Sequence, residues 1–162
     1  MLVAFSVVVL DVFTKELALA LLEPGRYVSW LGSSVGWQLV FNPGAAFGLR
    51  LPPVVFPVVT LVLIVVIGRA LTEGQHPVAV VAQGLVVGGA LGNIIDRLVR
   101  PGDGSLVGGF VVDFVAWGTF PRFNVADAAI TVGVVLFIVM TFVAERGTRA
   151  ERSARVDDAG RP

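Results

Sequence analysis

Cysteine is absent from the 162 residues, and there is a single histidine, His76. The first absence excludes disulfides, thiol nucleophiles, thiolate metal sites and iron–sulfur clusters. The second leaves little for a histidine-based zinc site or a Ser/His/Asp triad. Charge is also scarce, at 15% of residues, against about 25% in an ordinary soluble domain. Twelve Lys and Arg balance twelve Asp and Glu, so no basic surplus exists to neutralise nucleic-acid phosphates. Any catalysis must come from carboxylates, hydroxyls, amides or the backbone.

Apolar sequence is what the chain has in excess: 56% of residues, with a mean hydropathy of +0.86. Crossing about 30 Å of hydrocarbon takes about 20 helical residues. Residues 77–95 and 51–68 contain no charge, and 125–144 contains only Asp127 near its start. Residues 1–22 carry Asp11, Lys15 and Glu16 in their second half. These runs predict a membrane protein of the all-α class with four spans, at about 1–22, 51–71, 77–98 and 125–144. The spans form one domain, 1–144, followed by a disordered cytoplasmic tail, 145–162. The first run lacks a basic n-region and is interrupted by charge, so it is not a cleaved signal peptide. No Lys or Arg precedes it, which points to a start upstream of Met1.

Four spans place loop one (23–50) and loop three (99–123) on one side of the membrane. Both termini and loop two (69–76) lie on the other. Arginines divide five against six between the two sides, so the positive-inside rule does not set the orientation. Loop one holds YVSW and WQLVF, β-rich and bounded by Gly and Ser, which predicts a short sheet at the membrane surface. In the third span Gly84, Gly88 and Gly92 repeat every four residues, a small-residue stripe that lets another helix approach closely.

Charges in or beside such segments are costly and call for a partner or a role. In GNIIDRL (92–98), Asn93 precedes Asp96 and Arg97 by one helical turn, so the three can share a face. The alternative is an interfacial cap whose arginine snorkels. Asp127 follows Asn124 by three residues, which suits a first-turn carboxylate held by the helix dipole. Asp113 lies in the apolar, strand-like GGFVVDFVAW; it is either the one solvated position of a surface element or a desolvated acid. Asp11 and Lys15 stand at i, i+4, the order of a packing ion pair. FNPGAAFG (41–48) reads as a turn, or as a place where Asn42 and backbone amides hold an extended substrate.

Asp113 and Asp127 flank one loop and face one side of the membrane. Two carboxylates brought together cannot both ionise easily, so one proton is shared. One then serves as general base toward water and the other as general acid toward a carbonyl oxygen. That is aspartic-protease chemistry, and it needs no Cys, His or metal.

Taken in order, these motifs resemble the lipoprotein signal peptidase family (signal peptidase II): DVFTK at 11–15, FNPGAAFG at 41–48, GALGNIIDR at 89–97, VVDF at 111–114 and FNVADAAI at 123–130. The resemblance implies four transmembrane helices with a small β-rich extracytoplasmic element in a bacterial cytoplasmic membrane. It implies a multi-pass protein with loops one and three outside and both termini in the cytoplasm. The implied activity is an aspartic endopeptidase that removes the signal peptide of diacylglyceryl-modified prolipoproteins, cutting just before the lipidated cysteine. By motif position the catalytic pair is Asp113 and Asp127. Asn42, Gly44, Asn93, Asp96, Arg97 and Asn124 line or brace the site, and Asp11 with Lys15 supports it. No cofactor or metal is implied; the partners are the prolipoprotein and membrane lipid, with no nucleic acid and a monomeric enzyme. Val12 stands where the family usually has Gln, and the segment from Asp113 to Asp127 is short, which trims the flap over the site.

Two other classes fit parts of the pattern. A proton- or ion-coupled transporter would also need intramembrane carboxylates, and Asp11 in mid-span suits it, although transporters gather polar residues at the midplane. A membrane scaffold would explain the glycine stripe but not paired acids on one loop.

Overall fold

A computed structural model describes residues 1–43, 45–46, 49–50, 58, 77–102, 104 and 108–159. The predicted second span at 51–71 apart from residue 58, loop two and Gly44 lie outside the described residues. Helix α1 (Leu2–Leu21) leads to strands β1 (Tyr27–Leu31) and β2 (Val35–Asn42) and a two-residue pair, β3 (Ala45–Ala46) and β4 (Leu49–Arg50). Helix α2 (Pro77–Val99), strand β5 (Val111–Trp117) and helix α3 (Val125–Ala159) follow.

Helices α1 and α2 run parallel, and the glycines of α2 determine how closely. A Cβ on Gly84 would meet Val3, one on Gly88 would stand 2.7 Å from the Ala4 carbonyl oxygen, and one on Gly92 would strike the Asp11 carboxylate. Both series advance by four residues per contact, the spacing of interlocking i, i+4 ridges. The predicted stripe thus packs on Val3, Ala4, Val7 and Asp11 of α1. Helix α3 runs antiparallel to α2: Gly89 abuts the Ala126 carbonyl oxygen, and Gly133 lies against Ala82 and Val86. The outer faces remain apolar, with Phe5 and Phe13 of α1 and Val135 and Phe142 of α3 exposed.

The expected β-rich element is an antiparallel sheet in the order β1-β2-β5. Val40 of β2 stands opposite Asp113, and Asn42 opposite Val111. Leu39, Val112 and Phe114 pack on Ala18, seating the sheet on the C-terminal end of α1. The start of α3 and the ends of α1 and α2 therefore meet beneath one small sheet.

Among the described residues, two helical stretches are long and apolar enough to cross a membrane, Pro77–Val99 and Val125–Val143. Helix α1 matches them in length but carries three charges. Where the sequence reading stops the last span at 144 and expects a disordered tail, α3 continues to Ala159. The added stretch is rich in Ala, Glu and Arg, all strong helix formers, which carries the helix past its apolar part.

Candidate active site

Asp113 comes from the middle of β5 and is 2% exposed. Its Oδ1 accepts from Asn124 Nδ2 at 2.7 Å, and its Oδ2 accepts from Asn42 Nδ2 at 2.9 Å. The strand pairing that sets Val40 against Asp113 brings Asn42 of β2 within reach. Burial pushes the Asp113 carboxyl up to about 7, helped by the negative charge of Asp127. The two amide donors and the charge of Lys15 act in the opposite direction. Desolvation wins because neutral amides and a cation beyond contact replace water only in part.

Asp127 comes from the first turn of α3, and both of its carboxylate oxygens are engaged. The backbone N–H of Asn124 donates to Oδ2 at 3.2 Å, while Asn124 Oδ1 accepts from the Asp127 N–H at 3.0 Å. This is a reciprocal capping box, which satisfies two N-terminal donors of α3. Asn93 of α2 donates from Nδ2 to Oδ1 at 2.8 Å. The cap expected at this position is therefore present, and the capping carboxylate also faces a cavity.

The two carboxylates line that cavity together, and Asn124 reaches both, Asp113 through its side-chain amide and Asp127 through its backbone N–H. Its volume is about 1010 Å³, and its wall includes Asn42, Asn93, Arg97, Trp117, Phe120 and Arg122. Apolar side chains cover most of the wall, and Asp113 and Asp127 are its carboxylates.

The trio of α2 divides. Asn93 and Arg97 line the cavity, whereas Asp96 turns toward α1 and the sheet. Asp96 Oδ2 lies 3.0 Å from Lys15 Nζ and accepts from the Val112 N–H at 2.9 Å; its Oδ1 pairs with Arg100 at 2.7 Å. Asp96 thus fixes the strand beside Asp113 without reaching the cavity. Asp11 pairs with Lys15 at 2.7 Å and accepts the Ala126 N–H at 2.9 Å, tying α1 to the start of α3.

Sequence reasoning missed three contributors. Arg100 joins Asp96 to Glu16 of α1 at 2.8 Å. Arg122 donates from Nε to Gln38 Oε1 at 2.7 Å and from Nη1 to the Phe120 carbonyl at 2.9 Å, so it ties the 118–122 turn to β2. Phe120 in that turn lines the cavity. The only sequence signal was a basic residue amid the apolar GTFPRF.

Comparison with known proteins shows the family. A family model described as signal peptidase (SPase) II matches residues 3–143. A lipoprotein signal peptidase of Rhodococcus jostii is 43% identical over 146 residues, covering 87% of this chain and 71% of the relative. One from Mycobacterium leprae is 38% identical over 162 residues, covering 97% and 78%. A bacterial membrane enzyme solved by the in meso method at 2.3 Å superposes with a TM-score of 0.71 at 30% identity, covering 87% of this chain and 85% of that one. With the motifs in order, the match spanning α1 to α3 and the fold shared, this chain belongs to the signal peptidase II family.

Proposed function

We propose that the chain is a membrane aspartic endopeptidase that cuts diacylglyceryl-modified prolipoproteins just before the lipidated cysteine. Asp113 and Asp127 are its catalytic pair. The observation that carries the reading is the joining of these two carboxylates, from different elements, at the wall of one cavity through Asn124, whose side-chain amide holds Asp113 and whose backbone N–H holds Asp127. Family membership leaves the transporter alternative without support.

Asp127, with both oxygens accepting hydrogen bonds, serves as general base and takes a proton from water. The water oxygen attacks the scissile carbonyl while Asp113, whose burial favours its neutral form, gives its proton to the carbonyl oxygen. As the tetrahedral species collapses, the proton on Asp127 passes to the leaving amine. Asp113 recovers its own proton from the hydroxyl. The pair is then as it began, with one proton between two carboxylates. Arg97 and Asn42 on the wall hold the peptide, and the apolar wall receives the acyl chains.

We place the protein in the cytoplasmic membrane as four spans, with loops one and three outside and the termini in the cytoplasm. The parallel course of α1 and α2 supports this. Their C-terminal ends both lie at the sheet, which suits a return span between them, and residues 51–68 carry no charge and have about the length for one. The exposed aromatic and aliphatic side chains on α1 and α3 suit contact with lipid.

The test is cleavage by purified, reconstituted protein of a prolipoprotein with and without its diacylglyceryl group. The reading predicts cleavage of the lipidated form before its cysteine. Equal cleavage of both forms would contradict the substrate assignment.

A further inference from the structure

The strongest unexplained feature is a lysine buried in the helix bundle next to the proposed site. Lys15 Nζ is 0% exposed and has three partners: Asp11 Oδ2 at 2.7 Å, Asp96 Oδ2 at 3.0 Å and Asn93 Oδ1 at 3.0 Å. An ammonium carries three donors and no acceptor, so these partners use it fully. The first two contacts are an ion-pair arrangement that joins helices. The third reaches an amide whose other end touches Asp127.

We propose that Lys15 is a positioning residue for the reaction, fixing which way the Asn93 amide faces and so which group it offers to Asp127. The inference rests on the reading of Asp113 and Asp127 as the catalytic pair. Lys15 can only donate, so the oxygen of Asn93 must face it and the NH2 must face Asp127. Asn124 reinforces the choice by donating from Nδ2 to the same Asn93 oxygen at 3.1 Å. Asn124 is itself held by a second group that can only donate, the backbone N–H of Asp127, which its Oδ1 accepts.

Two donor-only groups thus dictate the polarity of the whole chain of amides. The result is that Asp127 receives a donor on each oxygen, as Asp113 does from Asn124 and Asn42, and losing one of them makes its carboxylate harder to keep ionised. Without Lys15 the Asn93 amide is free to turn, and its oxygen would confront the carboxylate of Asp127. The charged groups facing Asp127 are Lys15 from α1, Arg97 from α2 and Asp113 from β5, and Arg122 lines the same cavity.

The test compares the pH profiles of kcat/KM for full-length Lys15→Met, Asp11→Asn and wild type on the lipidated substrate. Asp127→Asn is run beside them as the control for the catalytic pair. In Lys15→Met the acid limb should move to higher pH by about one unit or more, and kcat near neutrality should fall about tenfold with KM little changed. Asp11→Asn removes one of the two ion pairs of Lys15 but leaves it against Asp96 and Asn93, so it should lower thermal stability and leave the acid limb in place. The double variant Asp11→Asn/Lys15→Met removes one charge of each sign from the buried cluster, and it should show the shift of Lys15→Met even if the single variant folds poorly. An unmoved acid limb in both lysine variants would overturn the proposal. So would an equal shift in Asp11→Asn, because the lysine would then act only through packing. Cleavage by Asp127→Asn would instead remove the catalytic-pair reading, a failure visible apart from the first.

Discussion

Asn124 and Asp113 lie on different elements, yet Asn124 Nδ2 stands 2.7 Å from Asp113 Oδ1 while the same side chain caps α3. One asparagine therefore starts a helix, carries Asp127 in that helix's first turn, and fixes the opposing carboxylate on the sheet. The arrangement explains how two acids 14 residues apart in sequence share a cavity.

Replacing Asn124 by alanine should therefore do two things at once. Loss of the cap costs about 1 kcal/mol of stability, read as a lower melting temperature in detergent. Release of the Asp113 carboxylate, with the Asp127 backbone N–H left uncapped, should lower kcat by about a hundredfold, since small misplacements of reacting groups carry penalties of that order. A loss of stability with unchanged kcat would show that the cap alone matters.

The raised proton affinity of Asp113 has a pH signature whose sign follows from linkage. Its folded-state value of about 7 lies above the ordinary carboxylate value of about 3.9. The folded state thus holds the proton more tightly, and the stability this confers is complete below about pH 4. It is lost as pH rises through 7, by at most about 4 kcal/mol. Asp113→Asn cannot titrate, so the difference in stability between it and wild type should change across that window and level off above it. Activity should follow, with an alkaline limb in kcat/KM near pH 7 as Asp113 loses the proton it donates. Parallel stability profiles for the two proteins would contradict the burial argument.

Gly88 tests the packing of the first two helices. A Cβ there would stand 2.7 Å from the Ala4 carbonyl oxygen and 2.8 Å from Val7 Cβ, and backbone cannot give way cheaply. Gly88→Ala should destabilise by about 1–3 kcal/mol. Because the strain lies a full helical turn from Gly92 and Asp11, the kcat of the folded fraction should change far less than stability does. Thermal unfolding beside kcat per folded molecule measures both.

Arg122 holds the 118–122 turn to β2 through Gln38. Arg122→Ala frees one wall of the cavity without touching either carboxylate. Losing a charged hydrogen bond of this kind should raise KM about tenfold, with kcat affected less. A selective loss of kcat would place Arg122 in the chemistry itself.

Much of this site is legible in sequence because charge is so rare here. Asp113 and Asp127 stand out from apolar surroundings, and Asn124 at i−3 from Asp127 announces a helix start. The glycine spacing of α2 announces a close neighbour, which proves to be α1. The orientation of Asp96 was not legible: an i, i+3 relation to Asn93 permits a shared face, and only packing against α1 turns Asp96 away. The reach of Lys15 to Asn93 was hidden for the same reason, since it depends on Gly92 letting α1 approach. Arg122 escaped notice because its partner, Gln38, lies 84 residues away on another strand. The continuation of α3 to Ala159 was missed because low hydropathy was read as disorder, although its residues favour helix.

The most direct test of the account is cleavage of a diacylglyceryl-modified prolipoprotein by reconstituted wild type, Asp113→Asn and Asp127→Asn, each checked for folding and membrane insertion. The account predicts release of the signal peptide by wild type and by neither variant, with both variants folded and inserted. Cleavage by either variant at a rate near that of wild type would contradict the pairing of Asp113 and Asp127.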